Sequence, residues 1–109
     1  MITITILKNK SSDYIGFKCI GHAGFAKYGE DIVCASVSIL VINTINSVEE
    51  LLKESFQCIQ DEEKGLIDFR FEHIPSRQAK LLLDSMILGL NEVEKQYGKK
   101  YILLKFEEV

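Results

Sequence analysis

The chain has 109 residues, of which 47% are hydrophobic and 27% charged, and its formal net charge is -3. This length fits one domain with its own core, and the single proline argues against a disordered chain. The acidic balance argues against a protein that binds nucleic acid through charge, so no direct nucleic-acid partner is expected.

The first part of the chain predicts a hairpin, a loop and a long helix. Residues 2–6 alternate isoleucine with threonine, and residues 14–20 form a second strand-like segment after a polar turn. Three glycines within residues 21–30 predict a loop. Asp31 is a favourable N-cap for a helix that should run to about Lys53.

The N-terminal half of this predicted helix is apolar nearly all round. A core stripe recurs at spacings of three and four residues, but Ile32, Ile39 and Ile42 lie off it. Such a helix must be covered on two sides. We expect the sheet to form one cover and a second subunit to form the other.

The second part of the chain predicts another hairpin, a second helix and a last strand. Residues 56–60 and 66–71 flank a polar turn, Ser76 opens a helix that Gly98 ends, and residues 101–106 form the final strand. The order is ββαββαβ. The predicted fold class is α+β, a five-stranded, largely antiparallel sheet with two long helices packed on one face.

The cysteine spacing and the hydropathy of the sequence indicate the cellular compartment of the protein. The three cysteines lack the spacing of a disulfide framework or a metal site, and free thiols fit a reducing cytosol. The most apolar run, residues 32–42, is too short to cross a bilayer, and the first residues resemble a strand rather than a signal peptide. We expect a single cytoplasmic domain over residues 1–109, with no metal, no cofactor and no membrane partner.

A histidine and a cysteine lie on either side of the glycine-rich loop. Cys34 falls in the first turn of the predicted helix, where the dipole favours the thiolate and unpaired amides are placed to hold an oxyanion. Ser38 lies one turn further on the same face. A loop that folds back would bring His22 to the thiol. This pattern predicts a cysteine nucleophile with a histidine base.

Residue chemistry alone also leaves a structural interpretation open. A cysteine in a helix is often inert packing, His22 fits a turn, and Asp31 stabilises the helix as a cap in either case. Cys19 and Cys58 are expected to be core thiols, and His73 a surface turn residue.

The same residues resemble a known family. Gly-His-Ala at 21–23 and Gly-Glu-Asp-Ile-Val-Cys-Ala-Ser-Val-Ser at 29–38 closely resemble the signature of the ribosomal-processing cysteine proteases, called Prp. Length and element order are similar over the whole chain. One departure is Ser36, where the family often has alanine, and its position on the helix points away from Cys34.

The resemblance implies an endopeptidase with Cys34 as nucleophile and His22 as general base, supported by Asp31 and Ser38. The loop is expected to bind substrate and to close over it as a lid. The loop residues with this expected role are Gly21, Ala23, Gly24, Phe25, Tyr28 and Gly29.

The resemblance also implies a substrate and an oligomeric state. Family members remove a short N-terminal extension from the precursor of a large-subunit ribosomal protein, and they are homodimers. The alternative from another class is a non-enzymatic, ribosome-associated or dimerisation module in which Cys34 only packs. A thiol-redox protein is disfavoured because no resolving cysteine lies next to Cys34.

Overall fold

The structure is a computed structural model, and it describes residues 1–27 and 30–109. The elements are β1 (Ile2–Lys8), β2 (Tyr14–Ile20), α1 (Ile32–Ser47), a short π-helix (Val48–Leu52), β3 (Phe56–Asp61), β4 (Leu66–Phe71), α2 (Arg77–Tyr97) and β5 (Ile102–Glu108). This order confirms the predicted ββαββαβ arrangement.

The five strands form one mixed sheet in the order β3-β4-β2-β1-β5. Three neighbouring pairs are antiparallel, and β5 joins the edge parallel to β1. The register aligns the apolar residues of one face, with Ile4 opposite Cys19 and Phe17 opposite Phe69. The largely antiparallel sheet is therefore confirmed.

One core joins that face of the sheet to both long helices. The period-two alternation of the strands brings Ile4, Phe17 and Phe69 to this face, and each is fully buried. Val41 of α1 and Leu83 of α2 belong to the same cluster of buried residues. Both helices therefore cover one face of the sheet, as predicted.

The helix ends follow the predicted capping chemistry. The Ser76 side chain accepts a hydrogen bond from the Ala79 amide at 3.1 Å, as expected of an N-cap. Gly98 ends α2 with φ at 96°, a conformation that suits glycine. The first long helix ends in a π-helical turn, and Lys53 follows it in the left-handed conformation.

The helices α1 and α2 pack closely against each other. A Cβ atom at Gly89 of α2 would lie 2.8 Å from Cδ2 of Leu40 on α1, so glycine permits this approach. The side of α1 away from the core is open in the subunit, with Ile32 49%, Ile39 71% and Ile42 41% exposed. The homodimer that would cover these residues stays a prediction.

The helical segment Ile32–Leu52 is longer than its most apolar run indicated. Its 21 residues are long and apolar enough to cross a membrane by length and composition, with a mean hydropathy of 1.6 over the best window. The run 32–42 is itself shorter than a membrane span, and the rest of the helix supplies the length. The core helix of a soluble protein meets the same criterion, and here Val33, Val37 and Val41 pack in the core.

Candidate active site

Asp31 caps the helix that carries Cys34. Its Oδ1 atom accepts hydrogen bonds from the amides of Val33 at 3.0 Å and Cys34 at 2.9 Å. The predicted N-cap is therefore present, and Cys34 lies in the first turn of α1. These two amides are already bonded to a carboxylate, so the expectation that they hold an oxyanion is wrong.

The other oxygen of the same carboxylate holds the glycine-rich loop. Asp31 Oδ2 accepts a hydrogen bond from the Phe25 amide at 3.1 Å, and the whole residue is 9% exposed. Burial by itself would raise the pKa of this carboxyl group. Hydrogen bonds from Cys34, Phe25 and Ala26 outweigh that effect and lower its pKa. One ionised side chain thus fixes the helix and the loop relative to each other.

The Cys34 thiol is half-buried and accepts a hydrogen bond from a backbone amide. The Ala23 N–H donates to Sγ at an N to S distance of 3.2 Å. Burial raises the pKa of this thiol, the Ala23 amide lowers it, and the charge and hydrogen bond of Asp31 raise it, with a net upward shift. The net direction favours the protonated thiol, which is opposite to the predicted shift towards thiolate. The carboxylate at the cap opposes the helix dipole on which that expectation rested.

His22 lies against the turn between β3 and β4. Its exposed imidazole places Nε2 3.3 Å from the carbonyl oxygen of Glu63. A carbonyl oxygen can only accept, so Nε2 carries the hydrogen and Nδ1 of the neutral ring is the basic nitrogen. The imidazole is therefore oriented with one nitrogen available for a proton.

Gly65 makes room for this histidine. A Cβ atom there would lie 2.5 Å from the Gly21 carbonyl oxygen and 3.1 Å from Cε1 of His22, and the residue has a φ of +62°. A side chain at position 65 would therefore displace the bend that carries the histidine.

A cleft of about 990 Å³ unites the predicted site residues. Cys34, Ser38 and Asp31 line it from α1 and its cap, while His22 lines it from the loop. The remaining lining is mostly apolar and includes Gly21, Gly24, Ile2, Cys19, Val41 and Ile67, with Asp61 and Glu62 at the β3–β4 turn. The cleft thus combines an apolar floor with a thiol, an imidazole and a hydroxyl group, as a peptide-binding site requires.

The loop residues predicted to bind substrate are distributed unevenly. Ala23 is buried beside the thiol, whereas the Phe25 ring packs edge-on against Tyr97 and Tyr101 at centroid distances of 5.6 and 5.1 Å. Phe25 is not among the described residues that line the cleft. A contact of this ring with substrate stays a prediction. Tyr28 and Gly29 lie outside the described residues.

Cys19 is a core thiol as predicted, whereas Cys58 packs against the core from a partly buried position. Cys19 is 4% exposed, and burial together with the charge of Cys58 raises its pKa to about 12. Cys58 is half-buried on β3. Over residues 1–27 and 30–109, no group of three or more His, Cys, Asp or Glu side chains is placed to hold a metal ion. His73 is exposed in the turn before α2.

Replacing Asp31 with asparagine should make the Cys34 thiol more acidic. The substitution removes a negative charge that raises the thiol pKa, so the pKa should fall. Alkylation of Cys34 by iodoacetamide, followed by mass spectrometry, should then reach its half-maximal rate at a lower pH. Asp68→Asn is the control, because Asp68 pairs with Arg70 and does not line the cleft in the described chain. An unchanged or higher midpoint in Asp31→Asn would contradict the assigned electrostatics.

Sequence comparison identifies related proteins along nearly the whole chain. Residues 1–102 match the family model for cysteine protease Prp. A Bacillus subtilis protein named ribosomal processing cysteine protease Prp is 32% identical over 103 residues, which cover 89% of this chain and 90% of the relative. A Staphylococcus aureus protein of the same name is 29% identical over 99 residues, covering 91% and 93% of the two chains.

The fold is also similar to crystal structures of Prp from S. aureus. One of them, a complex with a covalently linked product peptide, has a TM-score of 0.91 and 29% identity, covering 98% of this chain and 100% of that one. A second, with a substrate peptide, has a TM-score of 0.86 and 28% identity at the same coverage.

Proposed function

Since this chain belongs to the Prp family of cysteine proteases, we propose that it removes a short N-terminal extension from the precursor of a large-subunit ribosomal protein. The chain is a cysteine protease, which removes the non-enzymatic alternative. Its relatives are named for ribosomal processing, and the S. aureus protein has been crystallised with a substrate peptide. The single observation that carries the proposal is the cleft that Cys34 and His22 line together.

Cys34 is the nucleophile of this proposal. It is half-buried and lines the cleft from the first turn of α1. Cys19 is nearly inaccessible and has a pKa raised to about 12, and Cys58 is not among the described residues that line the cleft. Among the three thiols, Cys34 therefore combines access to a peptide with a polar environment.

His22 is the general base. Because burial favours the protonated thiol, its proton moves to Nδ1 of the imidazole as the bond from Sγ to the carbonyl carbon forms. The carbonyl π electrons move to the oxygen, which gives a tetrahedral intermediate. When this intermediate collapses, the carbonyl re-forms as a thioester and the carbon–nitrogen bond breaks. The imidazolium then protonates the leaving amine. Neutral His22 next activates the water that hydrolyses the thioester.

In this proposal the glycine-rich loop controls the access of peptide and water to Cys34. Asp31 accepts a hydrogen bond from the Phe25 amide, and the Phe25 ring packs against Tyr97 and Tyr101. We expect this loop to close over a bound peptide as a lid that excludes water. Ser38 faces the same space and supports the bound peptide or the sulfur from α1.

The test is processing of the precursor itself. The protein is incubated with the full-length precursor of each candidate large-subunit ribosomal protein, and the products are weighed by mass spectrometry. One precursor should lose a short N-terminal peptide, and the mature form of the same protein should remain intact. Unchanged precursors after incubation with the folded enzyme would contradict the proposed function.

A further inference from the structure

Attack of a thiol on a peptide carbonyl places negative charge on the carbonyl oxygen. A protease stabilises this charge with hydrogen-bond donors that are held in position before the reaction. The donors at a helix N-terminus would suit this purpose, but the Val33 and Cys34 amides both donate to Asp31 Oδ1. These two amides are therefore committed to the cap, and the oxyanion needs a donor other than them.

The Ala23 amide meets that requirement. It donates to Cys34 Sγ, with 3.2 Å between nitrogen and sulfur, and Ala23 is 4% exposed. A thiol sulfur is a weak acceptor, so this donor is directed at the reacting atom without being committed to a strong partner. The backbone is fixed on both sides of Ala23. After it, Asp31 accepts a hydrogen bond from the Phe25 amide, and before it, Gly21 packs tightly against Met1.

We propose that the Ala23 N–H is an oxyanion-hole donor of this protease, an inference that rests on the proposed function. When the bond between Sγ and the substrate carbon forms, the carbonyl π electrons move to an oxygen two bonds from Sγ. The amide that faces Sγ then transfers its hydrogen bond from sulfur to this oxygen. When the intermediate collapses, the carbonyl re-forms, the carbon–nitrogen bond breaks and the amine leaves with a proton from His22.

The amide can be deleted without altering a side chain. A synthetic segment of residues 1–33 with a C-terminal thioester is ligated to residues 34–109, which begin with Cys34, so the junction is natural. In one enzyme, lactic acid replaces Ala23, which exchanges the N–H for an ester oxygen and keeps the methyl group. In the control enzyme, the same exchange is made at Ser11, whose amide donates to Asn9 Oδ1 at 2.9 Å in the exposed turn after β1.

The substrate is a synthetic peptide that spans the N-terminal extension of the precursor. The Ala23 ester should lower kcat about 10²- to 10³-fold, the range found when one oxyanion donor is removed, with a much smaller change in KM. The Ser11 ester should cleave the peptide as the all-amide enzyme does. A folded Ala23 ester with kcat within about threefold of the all-amide enzyme would overturn the inference alone. An all-amide enzyme that leaves the peptide intact would overturn the proposed function as well.

A second measurement uses the unmodified protein. A peptide aldehyde ending at the residue before the scissile bond adds the Cys34 thiol across its carbonyl group and generates the same oxygen geometry. In protein labelled with ¹⁵N-alanine, the Ala23 amide proton should move downfield on addition, while the Ala79 amide at the start of α2 should not move. An unmoved Ala23 signal in a protein shown by mass spectrometry to carry the adduct would also overturn the inference.

Discussion

Replacing Cys34 with alanine should abolish precursor cleavage while the protein stays folded. Removal of a catalytic nucleophile typically costs about 10⁴- to 10⁶-fold in kcat, because the covalent pathway is lost. Cys34 is half-buried at the edge of the cleft, so loss of its sulfur leaves the buried face of α1 intact. Single-turnover cleavage of the extension peptide measures the activity, and thermal unfolding monitored by circular dichroism measures the fold.

The chain offers a matched control for this substitution. Cys58→Ala removes the same thiol group from a half-buried position on β3 that does not line the cleft in the described chain. It should leave kcat within a few-fold of the wild-type value. Cys34→Ser should resemble Cys34→Ala, because an alcohol is a far weaker nucleophile in a site built for sulfur. Efficient cleavage by Cys34→Ala would exclude thioester chemistry at this residue.

Replacing His22 with alanine should reduce cleavage about 10²- to 10⁴-fold at neutral pH, the range for loss of a general acid–base group. The structure adds a pH dependence to this expectation. Because burial raises the pKa of the Cys34 thiol, most of the sulfur remains protonated when no imidazole is present to accept its proton. As the pH rises towards the thiol pKa, hydroxide takes over that deprotonation, and the residual activity of His22→Ala should increase.

The chain contains two histidines, so the control is unambiguous. His73→Ala changes an exposed imidazole in the turn before α2, and its activity and pH profile should match the wild type. Steady-state cleavage of the extension peptide between pH 6 and pH 10 compares the three proteins. A His22→Ala enzyme with wild-type activity at neutral pH would assign the general base to another group.

The sequence is sufficient to predict the features that depend on local chemistry. Strand alternation and helical periodicity reveal the element order, and Asp31, Ser76 and Gly98 mark helix ends through caps that involve only neighbouring residues. The place of Cys34 in the first turn follows from the same cap, since it is the third residue after Asp31. These interactions span a few residues, so their signal is present in a short stretch of sequence.

The geometry around the sulfur depends on contacts that no short pattern encodes. Glu63 bonds the His22 ring across 41 positions, and only the paired hairpins bring the two together. The helix dipole predicts a lowered pKa for Cys34, whereas burial of the thiol and the charge of Asp31 raise it. The involvement of Ala23 escapes sequence reasoning for a different reason, since its backbone amide makes the contact.

The position of Gly65 has a consequence for how far the β3–β4 hairpin can vary. Hairpin turns usually accept insertions and larger residues, because they project into solvent. This one is in van der Waals contact with the bend that carries His22, and its backbone adopts a conformation that side chains disfavour. A change in turn length or a bulkier residue would therefore displace the His22 imidazole before it destabilised the sheet. A surface turn thus limits where the proposed general base can lie.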